Sequence, residues 1–478
     1  MSYKTGDRNQ RTFLPACIED YINTDDPVRA YDIFVESLDF SKLGIIIEEC
    51  KAGAHPYHPK AMLKLLVYGY AYGIRSSRKL ERAGKHNLSF IWLTGNLQPD
   101  YRTRARFRRD NTEALKQVLK QCVHMCVSLD LIEGNTLFID GSKIKANASL
   151  KNTMTKEEYK EYLEKVTKNI ENILSECETT DMAEANDKSL VQLAKELRNQ
   201  KDLASRIKDV LEEFENTERN KLNLTDKDSI KNKGDRGVKM YYNAQIAVDE
   251  KNGLIVNTDI VSEASDNKQF NNQLKQAEEV LEKPVSVACA DAGYFSTKEL
   301  EKVSPGTQVI VPSQRQAQKE NGTKKPFSKS EFTYDREKDE YICPEGARLR
   351  LVSPKPTDDG FYNYRAHQQD CRNCKHFGVC TSSTHGRNLF IFVDEAVKEQ
   401  FEKIYASPEG QKIYKLRKEK VELPFGHIKH NLGAREFLLR STQGAKAEIS
   451  LLASCFNITR MISISGGVTK LLTKLRTA

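Results

Sequence analysis

The sequence predicts a mixed α/β protein: a sheet of short buried strands, preceded by a helical region and opened by two long insertions. Three observations carry this. Asn135-Thr-Leu-Phe-Ile-Asp-Gly-Ser142 reads as a short buried strand, Thr136 to Ile139, with Asp140 at its exit and a turn signal in Gly141-Ser142. Val285-Ser-Val-Ala-Cys-Ala290 reads as another buried strand, which Asp291-Ala-Gly293 ends in the same manner. Between them stand a two-stranded excursion and a helix, an order that builds a mixed sheet. A carboxylate at a strand exit is held by a stiff scaffold yet reaches solvent, which suits a metal ligand. A single aspartate there more often caps a turn. The weight comes from three acids in matching settings, Asp140, Asp291 and Glu422.

A chain of 478 residues is too long for one ordinary core, so two to four domains are expected. It carries 75 Lys+Arg against 67 Asp+Glu, a formal charge of +8, so the partner is read from where the basic residues cluster. With 38% hydrophobic and 30% charged residues the chain reads as soluble and globular, with no apolar run long enough for a bilayer. Met1-Ser-Tyr-Lys-Thr-Gly-Asp-Arg lacks the apolar core of a signal peptide, so a cytoplasmic protein is expected. Eleven cysteines in such a chain suggest thiols or metal ligands rather than disulfides.

Residues 1–134 read as a helical domain. Asp26-Pro27 and His58-Pro59 open helices, Ser76-Ser77 starts another, and a third stretch runs from Arg102 to Leu129 after the Gln98-Pro99-Asp100 turn. Its first turns hold Arg102, Arg104, Arg106, Arg108 and Arg109, a density that an acidic DNA or RNA backbone would meet. A solvated helix face has the same composition. The first part of the core spans 135–312. Within it 150–235 is an inserted arm, in which Tyr159, Tyr162, Val166, Ile170 and Ile173 recur at helical spacing and predict a two-helix hairpin. Strands are expected at Tyr241 to Asp249, Gly253 to Val261, Val285 to Ala290 and Gln308 to Pro312, with a helix over Asp266 to Leu281.

Residues 313–388 form a second insertion, short of core residues. Cys371-x-x-Cys374 is a chelating pair, and Cys343 and Cys380 complete a thiolate set for Zn²⁺, with His376 as a substitute ligand. The alternative is free thiols in a loop-rich segment. The core resumes over 389–465, helical from Asp394 to about His430 and closed by an apolar helix from Ala445 to Ile462. A basic, frayed tail, 466–478, follows. Lys415, Glu422 and Lys429 are spaced by sevens and share one face of a regular helix, so an acid is flanked by cations suited to phosphates. Pro424 predicts a kink near Glu422.

These residues resemble the bacterial insertion-sequence transposases of the DDE type, in the insertion-sequence-four-like superfamily and most like its eleven-eighty-two branch. The resemblance runs nearly end to end. It rests on Tyr57-His-Pro59, Tyr68-Gly-Tyr70, Ser76-Ser-Arg78, Trp92-Leu93 and Pro99-Asp100 with Phe107-Arg108. Further along it rests on Phe138-Ile-Asp-Gly-Ser142, Tyr242-Asn-Ala-Gln-Ile-Ala-Val-Asp249, Ala290-Asp-Ala-Gly-Tyr294 and Val421-Glu-Leu-Pro-Phe-Gly-His-Ile-Lys429. It implies a ribonuclease-H-like core in which Asp140, Asp291 and Glu422 are the catalytic carboxylates. Tyr414, Arg417 and Lys429 fit the superfamily's last motif beside Glu422, with Arg417 one residue further from the glutamate than is usual. Trp92, the only tryptophan, lies in the N-terminal domain, so a tryptophan-based hairpin step is excluded.

The chemistry expected from the resemblance is phosphodiester cleavage at an element's ends and strand transfer into target DNA. Two Mg²⁺ or Mn²⁺ ions roughly 3.5–4 Å apart would be caged by the three acids. Double-stranded DNA (terminal inverted repeats and target) is the expected partner, with a homodimer to synapse two ends and a nucleoid-associated location. The rivals are a domesticated, non-catalytic DNA-binding protein, a nuclease without strand transfer, and a zinc-dependent regulator.

Overall fold

The computed structural model describes residues 17–47, 56–182, 187–234, 237–320, 327–357, 361–392 and 395–477. The expected N-terminal Met1-to-Arg8 segment and Asp394 lie outside them. The chain divides into two compact units. The first comprises Met1–Ser265, Gln273–Pro284 and Glu419–Ala478, and the second comprises Asp266–Asn272 and Val285–Lys418.

The first unit opens with α1 (Val28–Ser37), α2 (Pro59–Ala71), α3 (Ser77–His86), α4 (Leu88–Leu93), α5 (Tyr101–Asp110) and α6 (Thr112–Ser128). Their starts follow local chemistry. Asp26 Oδ1 accepts the Val28 N–H, Pro59 occupies the first helical position, and Asp100 Oδ1 accepts the Thr103 N–H. The single helix expected over 102–129 is two, because Asn111 leaves the helical region and its amide donates back to the Phe107 carbonyl.

Strand β1 (Thr136–Lys145) corrects the expected four-residue strand. It is ten residues long, and Gly141-Ser142 continues it rather than turning. It pairs antiparallel with a later strand from Leu137↔Asp249 to Lys145↔Tyr241, so Asp140 stands within the strand, opposite Ile246. The ladder satisfies backbone groups that a local turn would have left to water. At the base of the arm, β2 (Thr153–Met154) pairs with β3 (Leu222–Asn223). The hairpin of α7 (Lys156–Met182) and α8 (Asp187–Glu213) rises from it around Tyr159, Val166, Ile207 and Val210. The Tyr159 hydroxyl donates to the Asn152 and Leu222 carbonyls and so ties the arm's two feet. Strands β4 (Ile230–Gly234), β5 (Gly237–Asp249) and β6 (Ile255–Val261) complete the unit's antiparallel sheet, with β1 on one side of β5 and β4 and β6 on the other. Helix α9 (Phe270–Leu281) follows.

In the second unit β7 (Val287–Cys289) and β8 (Gln308–Ile310) pair in parallel, with α10 (Thr297–Leu300) between them and α11 (Gln314–Glu320) after. The cysteine-containing segment is not the core-poor insertion that the sequence suggests. Strands β9 (Thr333–Asp335), β10 (Glu340–Ile342), β11 (Arg348–Leu351), β12 (Phe361–Ala366) and β13 (Asn388–Phe392) form an antiparallel meander. It has its own core of Phe332, Leu349, Tyr364, Ala366, Leu389 and Ile391. Spaced aromatics supply what long aliphatic runs would have announced: Tyr341 packs on Tyr334 and Tyr364 with ring centroids 4.8 and 4.9 Å apart. Helices α12 (Gln368–Arg372), α13 (Glu395–Ala406) and α14 (Pro408–Gly426) follow.

Pro424 lies inside α14, which runs on to Gly426 and passes into a π-helical turn over His427–Asn431. The expected break near Glu422 is therefore a change of helical pitch further on.

The first unit closes with α15 (Ser441–Ser465) and α16 (Val468–Thr477). By length and composition α15 could cross a membrane, contrary to the sequence expectation, but 72% of its apolar window is buried within the fold. It is apolar all round because α2, α6 and β6 pack against it. Buried Asn457 donates to the Ile255 carbonyl and accepts the Ile255 N–H, pairing backbone groups of β6. The expected frayed tail is helical, with Val468 and Leu471 buried. Gly466, at φ +75°, makes the turn into it.

Candidate active site

In the first unit Asp140 follows three fully buried residues of β1, Leu137, Phe138 and Ile139, and is itself half-exposed. Glu422 is exposed on α14, its neighbours Val421, Pro424 and Phe425 being buried. Two links lash the chain after Glu422 to β1. Lys429 Nζ donates to Ser142 Oγ at 2.7 Å, two residues past Asp140. Beyond the π turn Lys145 N–H donates to the Arg435 carbonyl, Phe437 N–H donates to the Lys145 carbonyl, and Lys145 Nζ pairs with Glu436 at 2.7 Å. Ser142 is the residue that reading the sequence missed; its signal was hidden by the apparent turn.

A buried cation fixes the same stretch. Arg75 donates to the Gly433 and Glu436 carbonyls and pairs with the fully buried Glu448 at 2.5 Å. The other Glu448 oxygen accepts the N–H groups of Leu438 and Leu439.

In the second unit Asp291 directly follows the buried end of β7. Its Oδ1 accepts the Gly293 N–H at 2.8 Å, capping a 3₁₀ turn. A side chain at Gly293 would meet that oxygen at 2.9 Å and Asp266 Oδ2 at 3.8 Å, so Asp266 is a neighbouring acid. Arg417 lies over the Tyr414 ring at 5.6 Å. Burial pushes the Cys289 thiol up to about 12, against the pull of Arg417 and with the push of Asp291, which places both charges near the end of β7.

The five arginines separate. Arg102, Arg106 and Arg109 are exposed, whereas Arg104 and Arg108 are 1% and 9% exposed, so those two are turned away from any DNA backbone. Arg108 donates to Tyr70 Oη and to the Arg75 carbonyl, and is structural. On an α-helix a spacing of two residues turns the side chain by about 200°, so alternate arginines of α5 fall on opposite faces, which a count of charges does not show. Arg78 and Arg102 both lie against the Tyr101 ring, and Arg109 is paired with Asp110. Arg102 and Arg106 on α5, with Arg78 on α3, are therefore exposed basic side chains of this domain.

Three solvent-accessible carboxylates are the donor chemistry of a hard divalent cation. Among the described residues no group of three or more His, Cys, Asp or Glu is arranged to hold a metal ion. None of Cys343, Cys371, Cys374 and Cys380 is in a disulfide.

Residues 342–462 match the family model of a transposase DDE domain, and residues 16–110 match that of a transposase domain (DUF772). Segments toward both ends of the chain are thus similar to transposase domains. Tyr414, Arg417, Glu422 and Lys429 lie in the first matched segment and the arginines of α5 in the second, while Asp140 and Asp291 lie in neither. No curated protein matches the chain. A cryo-EM structure of the piggyBac transposase synaptic complex with hairpin DNA is similar over 95% of this chain and 80% of that one. Its identity is 9% and its TM-score 0.33, too low to carry an argument.

Proposed function

We propose that the protein is a DDE transposase of the insertion-sequence-four-like superfamily, with a ribonuclease-H-like core and Asp140, Asp291 and Glu422 as its catalytic carboxylates. The observation that carries the reading is the Lys429–Ser142 bond. It joins the helix end of the matched transposase DDE domain to the strand that bears Asp140, a residue outside that match. The three acids would hold Mg²⁺ or Mn²⁺, which when bound supplies the Lewis acid for attacking and leaving oxygens. Lys429 and Arg417 hold phosphate oxygens, and Tyr414 orients the Arg417 guanidinium. Water attacks the phosphodiester at the element end and releases a 3′-hydroxyl. That hydroxyl attacks a target phosphodiester, joins the element and expels the target's 3′-oxygen. The DNA is double-stranded, terminal inverted repeats and target alike. Arg78, Arg102 and Arg106 contact its backbone, and two chains act together in the bacterial cytoplasm, on the nucleoid.

The test uses purified protein, labelled DNA from the flanks of its gene, and Mg²⁺ or Mn²⁺, beside Asp140→Asn, Asp291→Asn and Glu422→Gln. Cleavage and joined products that all three variants lose are expected. Cleavage without joining would make the protein a nuclease. Specific binding without cleavage in either metal would make it a domesticated DNA-binding protein.

A further inference from the structure

The segment between β10 and β13 carries a second constellation that takes no part in the proposed chemistry. Cys343, Cys371, Cys374 and Cys380 line one cavity of about 410 Å³, walled on its apolar side by Phe327, Phe332 and Leu349. Three of the four sulfurs accept backbone N–H groups. Ala347 N–H donates to Cys343 Sγ at 3.2 Å, His376 N–H to Cys374 Sγ at 3.5 Å, and Arg387 N–H to Cys371 Sγ at 3.3 Å.

These donors come from turns that aim amides at sulfur. In the β10–β11 turn, Cys343 N–H bonds the Ala347 carbonyl and Gly346 N–H bonds the Cys343 carbonyl, both at 2.8 Å. Gly346 has φ +84°, the left-handed conformation that glycine accepts without strain. At the end of α12, Cys374 N–H bonds the Cys371 carbonyl and Phe377 N–H bonds the Cys374 carbonyl. An amide pointed at sulfur stabilises a thiolate more than a thiol, so the backbone is prepared for negative sulfur.

We propose that Cys343, Cys371, Cys374 and Cys380 bind one structural zinc ion: the four line one cavity without yet forming a metal-holding group, and the sulfurs draw together when the ion enters. Four soft thiolates select zinc over hard cations, and a complete set of four leaves no open position for catalysis. His376 stands outside this set of four thiolates; its Nε2 is bonded to Glu345 Oε1 at 3.1 Å and its ring packs on Phe327. The ion joins the β10–β11 turn to α12 and the loop after it, clamping one end of a meander whose core has six buried side chains with partly buried ones packed on them.

The test needs no DNA and is independent of the transposase reading. Full-length protein is purified without a metal-affinity step and its metal content measured by mass spectrometry. About one zinc per chain is expected. Titrating the folded wild type with a mercurial should release that zinc as four thiols react. Cobalt substitution should give a thiolate charge-transfer band. Cys374→Ser should lose the ion and His376→Ala should keep it. Wild-type protein that holds no zinc after supplementation and desalting would overturn the proposal, as would an iron–sulfur spectrum. Zinc released without thiol modification would overturn it too, and that measurement stands even if Cys374→Ser misfolds.

Discussion

Glu448 is where one substitution should do most damage without touching the proposed chemistry. Its side chain is fully buried, and its partner Arg75 is 8% exposed. Glu448→Ala strands that cation and leaves the Leu438 and Leu439 amides without their acceptor. Removing one member of a buried ion pair costs about 3–5 kcal/mol. The freed amides add about 1–3 kcal/mol, at the low end because they are part-buried and water can reach them. The expected loss is about 4–6 kcal/mol. Glu448→Gln keeps the volume and one acceptor oxygen and should lose about 2 kcal/mol. The assay is urea unfolding followed by the fluorescence of Trp92, the only tryptophan, which lies in the same unit beneath the Arg29 guanidinium. The double variant with Arg75→Met should recover much of the loss, because no buried charge is then left alone. A loss under about 1 kcal/mol in Glu448→Ala would refute the argument that this pair organises the chain between the π turn and α15.

Lys429→Met should lower stability by about 1 kcal/mol for the half-exposed bond to Ser142 Oγ. It should lower DNA cleavage by roughly 100-fold, the scale of losing one positioned donor; equal cleavage in a gel assay would remove Lys429 from the site. Arg106→Ala should leave the urea midpoint unchanged and reduce the slope of log affinity against log salt by about 1. Arg104→Met should not weaken folding at all, because the buried guanidinium nitrogens have no hydrogen-bond partner among the described residues and the methionine keeps the stem's packing. Burial raises the Asp226 carboxyl above its ordinary range, against the hydrogen bond that Tyr242 donates to it. Between the ordinary and the raised value the native state binds more protons than the unfolded one, so stability from this group falls as pH rises through that window. Urea midpoints measured from pH 4 upward should show the fall in wild type and not in Asp226→Asn; parallel curves would exclude it.

Much was legible locally. The starts of α1, α2, α3 and α5, the two-helix arm and the β5–β6 hairpin all follow from caps, prolines and periodicity that act within a few residues. So did the acid that follows β7, since a short buried run and an Asp-Ala-Gly turn lie side by side in the chain. The candidate site was legible as residue types and spacings, and less so as an arrangement. Lys429 was marked by its place in a basic helix, but nothing near it in sequence marks Ser142 as its partner, 287 residues away.

Only the tertiary structure decided the rest, and in each case a partner distant in sequence overrode a local preference. Gly141-Ser142 became strand because β5 offers Asp140 to Ser142 a ladder about a hundred residues away. Arg104 and Arg108 turned inward because α5 has an inner face, and charge density along a sequence carries no sign of which face that is. The apolar run of α15 is a core helix rather than a span because α2, α6 and β6 surround it. Composition fixes how much apolar surface must be hidden. The packing of distant segments determines where it is hidden, and therefore which polar groups are left facing solvent to do chemistry.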